Sequence, residues 1–159
     1  MLDSVEIVKK NNPDFELHIV GSGPKADSVK EFSENNRWCT YHESLYGDKR
    51  DTLLLESSAI LMPGLVGLVA VDSFHFACPI ISTDCGQHSP EFAYLINGEN
   101  SLIYPAEGTA IEYANLISEY IQNDSIQAKI RQGARDSASV YTIDDTAQRF
   151  VDGIESLFV

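Results

Sequence analysis

Short apolar runs alternate along this chain with longer stretches of mixed polarity. Phe15 to Val20, Arg37 to Tyr41, Ala59 to Met62, Pro79 to Ser82 and Ser101 to Tyr104 each read as a strand. Helical patterns lie between them, at Val5 to Lys10, Lys25 to Asn35, Lys49 to Glu56, Gly67 to Phe76 and Ser89 to Leu95. Leu53, Leu54 and Leu55 make the buried side of the third helix, and Pro13 stops the first. Asn97 to Asn100 is a turn, and Thr109 to Asn123, Ser125 to Val140 and Ile143 to Phe158 follow as three consecutive helices. Buried strands alternating with helices imply parallel strand–helix–strand units.

The expected fold is therefore α/β, a Rossmann-like, doubly wound parallel sheet flanked by helices, with extra helices at the C-terminal end. Ligands in such sheets bind at the carboxyl ends of the strands, where the strand order switches. No internal repeat, low-complexity stretch or linker divides the chain, so residues 1–159 read as one domain.

Composition narrows the partners. The formal charge of −13 argues against nucleic acid, which needs clustered Lys and Arg. A diphosphate is a different case, because backbone amides can hold it locally. Cys39, Cys78 and Cys85 are odd in number and form no C-x-x-C pair, which favours a reducing, cytoplasmic setting. The uncharged run from Ser57 to Val71 is too short to span a membrane and is broken by Pro63 and Gly64.

The strongest candidate site follows the third strand. After Pro63 come Gly64, Leu65, Val66, Gly67 and Leu68, at the start of a helical pattern. The glycines leave main-chain N–H groups uncovered, a ready seat for phosphate or sugar hydroxyls. Asp72, one turn further on, is placed to accept from ribose hydroxyls. Structural readings exist for each: Gly67 could allow close helix–strand packing, and Asp72 could be a solvated helix residue.

Other motifs are weaker. Gly21-x-Gly23-x-x-Ala26 follows a strand and opens a helix, with Glu43 about 20 residues on, a spacing formally compatible with NAD. The same glycines also suit a plain turn or the edge of another nucleotide site. His18, His42, His75 and His88 lack metal-ligand spacing, so no metal is expected. Cys85 and His88 are close enough for a nucleophilic pair, with no orienting acid nearby in sequence. Ser89, Pro90 and Glu91 read as a helix cap, first residue and first-turn acid.

Taken in order, Pro63, Gly64-Leu65-Val66-Gly67-Leu68, Asp72-Ser73, Ala77-Cys78-Pro79, Ile81-Ser82-Thr83-Asp84-Cys85-Gly86, Pro90-Glu91 and Asn97-Gly98-Glu99-Asn100 resemble the donor-binding domain of retaining GT-B glycosyltransferases of group 1. His18 to Pro24 resembles that family's earlier strand and turn. The resemblance implies a carboxyl-terminal half of a GT-B fold that binds a UDP-, GDP- or other NDP-sugar and needs no cofactor. It implies transfer of a hexosyl group, with retention, to a glycan or lipid-linked acceptor. Asp72 stands for the family's second glutamate, which binds ribose. The amides of Val66, Gly67 and Leu68 would face the diphosphate and sugar, and Gly21 and Gly23 would flank the donor. No residue is assigned as catalytic.

Departures from the family pattern qualify that picture. Gly64 replaces the first glutamate, a contact to the transferred sugar. The family's first strand, its diphosphate-binding Arg and Lys, and its N-terminal acceptor domain are not in this sequence. The chain alone is therefore expected to be inactive, and the acceptor, with any peripheral membrane contact, would belong to the longer enzyme. An NAD-binding domain of an oxidoreductase, resting on Gly21, Gly23, Ala26 and Glu43, and a non-catalytic GT-B-like interaction module remain as alternatives.

Overall fold

A computed structural model describes residues 1–105 and 108–158. The elements run α1 (Leu2–Asn11), β1 (Leu17–Val20), α2 (Ala26–Asn35), β2 (Cys39–His42), α3 (Asp48–Glu56), β3 (Ile60–Met62), α4 (Val69–His75), β4 (Ile80–Asp84), β5 (Ser101–Pro105), α5 (Ala110–Gln122), α6 (Asp124–Ala138) and α7 (Ile143–Glu155). Short 3-10 helices cover Pro90–Tyr94 and Ser156–Phe158. All strand pairing is parallel, as the helices between strands require.

The sheet is divided. β1 pairs with β2, and β3 pairs with β4, which pairs with β5. Among the described residues β1 and β3 do not pair, so the expected single sheet is two half-sheets side by side.

Packing explains which half is firm. Ile80, Ile81 and Ser82 of β4 are buried, because β4 has a neighbour on each side and helices on both faces. Tyr113 of α5 donates to Ile81 O at 2.6 Å, and Tyr120 to Ser58 O at 2.9 Å. Burial pushes the Tyr120 phenol up to about 12, so it serves as a neutral donor. One cluster joins Val8, Ile81, Ala114, Ile117 and Ile130; another joins Val66, Ala70, Phe74, Ile80, Leu95 and Ala134. Val5, Leu17 and Cys39 form a third, with Trp38 and Leu61 against it.

Four local expectations change. The helix after β3 starts at Val69, not Gly67, so the glycine segment precedes it as a loop. Residues 90–94 wind as a 3-10 helix. Leu55 is 63% exposed, while Leu53 and Leu54 are half-buried, because α3 meets the unfilled side of the sheet. β3, read as a buried strand, is half-buried throughout. No described helix is long and apolar enough to cross a membrane.

Candidate functional site

Strand order reverses between β1 and β3. Successive strands step outward from there, β1 to β2 on one side and β3 to β4 to β5 on the other. This is the switch point at which open α/β sheets gather ligands. A groove of about 960 Å³ lies there. Val20, Arg50, Met62, Val69 and Asp72 are among its lining residues.

The loop after β3 is held from outside. Thr83 Oγ1 donates to Pro63 O at 2.6 Å, and Ser89 N–H donates to Val66 O at 3.0 Å. His88 completes the clamp. Val66 N–H donates to His88 Nδ1 at 3.2 Å, and His88 Nε2 lies 2.9 Å from Thr83 O. One tautomer satisfies both contacts, with the proton on Nε2 donated to Thr83. The ring stacks on Phe92 at 3.6 Å between centroids.

The candidate amides therefore divide. That of Val66 is capped internally, contrary to the expectation that it faces a ligand. Those of Gly64, Leu65, Gly67 and Leu68 have no hydrogen-bond partner among the described residues. Leu65 and Leu68 are 63% and 72% exposed, and Gly64 and Gly67 are half-buried. α4 has seven residues, which leaves the loop amides, more than a helix dipole, as the polar feature.

The glycines are not required by crowding. A Cβ on Gly64 would meet nothing within 4 Å, and one on Gly67 would meet Ser89 Oγ at 3.6 Å, an ordinary contact. The close-packing reading of Gly67 thus loses its reason. Gly21 has φ +137, a conformation that favours glycine; its N–H donates to His42 O and its carbonyl accepts from Tyr41. Gly23 is exposed, with open space around it.

Asp72 is half-buried on the groove wall. Its Oδ2 lies 3.7 Å from Arg50 Nη1, and Arg50 also bonds Asp51 Oδ1. Among the described residues Arg50 is the one Arg or Lys lining the groove. Its hydrogen bond to Asp51, with Asp72 beside it, holds its pKa above the ordinary value. Sequence reasoning missed Arg50 and the clamp role of His88. Nothing in sequence marks Arg50, whereas the His88–Phe92 spacing carried a faint signal.

The minor motifs separate from this site. Cys85 Sγ is 3.5 Å from His88 Nε2, but that nitrogen's proton is engaged by Thr83, and no acid orients the ring. No group of His, Cys, Asp and Glu able to hold a metal occurs among the described residues.

The sequence pattern of the glycosyl transferases group 1 family matches residues 1–123. The chain belongs to the group 1 glycosyl transferases. Comparison with curated protein sequences finds no match. Solved structures share the fold. TarM of S. aureus, in complex with fondaparinux, alpha-GlcNAc-glycerol and UDP, superposes with TM-score 0.79 at 16% identity, over 94% of this chain and 31% of TarM. HepE of Anabaena, in complex with UDP, gives 0.74 at 18% identity over 98% of this chain and 45% of HepE. The sucrose-phosphate synthase of Thermosynechococcus elongatus gives 0.76 at 15% identity, over 98% of this chain and 42% of that enzyme. This group 1 chain thus spans less than half of these neighbours. The match gives no support to the oxidoreductase reading of Gly21, Gly23, Ala26 and Glu43.

Proposed function

We propose that this chain is the donor-binding domain of a glycosyltransferase, and that it holds a nucleoside-diphosphate sugar at the carboxyl edge of β1 and β3. The observation that carries the reading is the row of unpartnered amides at Gly64, Leu65, Gly67 and Leu68, in the loop between β3 and α4, the helix that places Asp72 on the groove wall at the sheet's switch point. Amides suit an anionic diphosphate in an acidic protein, since they add donors without needing a counter-charge. As the leaving group gains charge, these fixed donors stabilise it. Asp72 accepts from ribose hydroxyls, and Arg50 offers a cation next to it. Family membership and neighbours bound to UDP support the same reading.

The finer terms of the proposal are a hexosyl group, transfer with retention, and a glycan or lipid-linked acceptor. The acceptor would bind in a domain outside these residues. No cofactor or metal is invoked.

Thermal-shift titration tests the nucleotide. UDP or GDP should raise the melting temperature, and NAD should not. Asp72→Ala should weaken nucleotide binding about ten- to a hundredfold, the worth of hydrogen bonds to a charged acceptor. Equal stabilisation by NAD, or unchanged affinity in Asp72→Ala, would contradict the assignment.

A second reading, a non-catalytic interaction module, is favoured by Gly64 standing where the family has a glutamate. Restoring that carboxylate separates the two. Gly64 has open space and no left-handed φ, so Gly64→Glu should leave the melting temperature unchanged. If the longer enzyme turns over or hydrolyses no donor, with or without Gly64→Glu, the module reading stands.

A further inference from the structure

Ser89 stands where the sequence predicts a helix cap, yet its side chain caps nothing. It precedes the 3-10 helix Pro90–Tyr94, and its hydroxyl has no hydrogen-bond partner among the described residues. Its backbone, by contrast, is held. Ser89 N–H donates to Val66 O at 3.0 Å, and Ser89 O accepts from Phe92 N–H at 3.0 Å. The His88 ring before it is clamped by Val66, Thr83 and Phe92. An unused hydroxyl on a fixed backbone is a pre-organised donor.

Gly67 lies opposite. A Cβ there would stand 3.6 Å from Ser89 Oγ, and Ser89 is the one described residue it would meet within 4 Å. Gly67 has no left-handed φ, so neither strain nor crowding asks for glycine. What the glycine leaves is open space between the Ser89 hydroxyl and its own unpartnered N–H. That amide nitrogen is two bonds from the absent Cβ. Two hydrogen bonds of about 2.9 Å span roughly 6 Å, so one phosphate reaches both donors.

We propose that Ser89 is a further donor-binding residue, whose hydroxyl donates to the distal, sugar-linked phosphate of a nucleoside-diphosphate sugar, and that Gly67 is glycine to leave room for that phosphate. The proposal rests on the donor reading above. Position across the sheet selects the distal phosphate. Asp72 and Arg50 line the groove beside β1 and β3, where that reading places the ribose. Ser89 lies on the other side of the glycine loop, after β4, the strand beyond β3. Neither Ser89 nor Gly67 lines the groove. The donor then runs from ribose at the groove to its second phosphate between Gly67 and Ser89. Charge supports a neutral donor here: the sequence has no Lys or Arg between Arg50 and Lys129. On this side of the site the diphosphate meets amides and hydroxyls, not cations.

Calorimetric titration with UDP and UMP, and with GDP and GMP, tests this in the chain and in Ser89→Ala, Gly67→Ala and the double variant. Melting temperatures are read alongside. Ser89→Ala should lower the ratio of diphosphate to monophosphate affinity about tenfold or more, the loss expected for a hydrogen bond to a charged group. Its melting temperature should not change. Gly67→Ala should lower the same ratio, because its methyl covers the hydroxyl at ordinary contact distance, without lowering the melting temperature. Ser89→Ala should add little to Gly67→Ala, since both remove one contact. Asp72→Ala, by contrast, should weaken monophosphate and diphosphate alike. An unchanged ratio in Ser89→Ala, with Asp72→Ala still weakening both nucleotides, would overturn the role of Ser89 and leave the donor reading standing. An unchanged ratio with a fall of about 2–4 °C in melting temperature would return Ser89 to a capping role. If neither diphosphate binds the unaltered chain, the donor reading itself fails and the role of Ser89 with it.

Discussion

At the scale of single residues, His88 does more than any nearby side chain to set the loop after β3. It accepts from Val66 and donates to Thr83, tying that loop to the end of β4. His88→Ala should cost about 1 kcal/mol, a fall of about 2–4 °C in melting temperature. It should also release the Val66 amide to exchange. His18 and His42 form a second local device, stacked with Nδ1 and Nε2 at 3.0 Å. Desolvation, and then the charge of His18, lower the His42 pKa below its ordinary 6.5. Protonation thus favours the unfolded chain. The contribution is present above pH 6.5 and is lost as pH falls through the folded value. An NMR titration of His42 should give a pKa under 6.5, and His18→Gln should move it up. That a glycine-containing loop follows β3, with Asp72 on the helix after it, was legible from the strand–helix pattern. The clamp and the Arg50–Asp72 contact were not, because both join residues from separate elements.

At the scale of elements, caps and close approaches explain most boundaries. Thr109 accepts from Glu112 N–H while Glu112 Oε2 accepts from Thr109 N–H, a reciprocal cap that starts α5. Thr109→Ala should cost about 1 kcal/mol in a denaturant melt. Gly133 shows where α6 needs a missing side chain. A Cβ there would meet Glu99 O at 2.1 Å, because α6 packs on the turn before β5. Asn100 fixes that turn, donating to Tyr94 O and to Ser137 Oγ of α6. Gly133→Ala should therefore cost about 1–3 kcal/mol by overpacking. Apolar periodicity located every strand and helix, since burial on one face or both leaves that imprint. It misplaced the start of α4 and the burial of Leu55, where local pattern gives no information about what lies opposite.

At the scale of the whole molecule, the family and the parallel α/β architecture were legible because residue order and spacing survive across Pro63 to Pro105. The division of the sheet was not, since strand pairing is a tertiary property and β1 and β3 each carry an ordinary strand pattern. The switch point, Arg50 and Asp72 meet at one groove, and the open amides lie in the loop between β3 and α4. α7 stands apart, with no buried residue and with Ile143 and Phe150 largely exposed.

Amide chemical shifts on adding UDP or GDP test the proposed donor site most directly. The resonances of Leu65, Gly67 and Leu68 should move together and saturate with one affinity, weakened in Asp72→Ala, while Val66, capped by His88, should move less. Saturable shifts confined to other surfaces, or none at these amides, would contradict it.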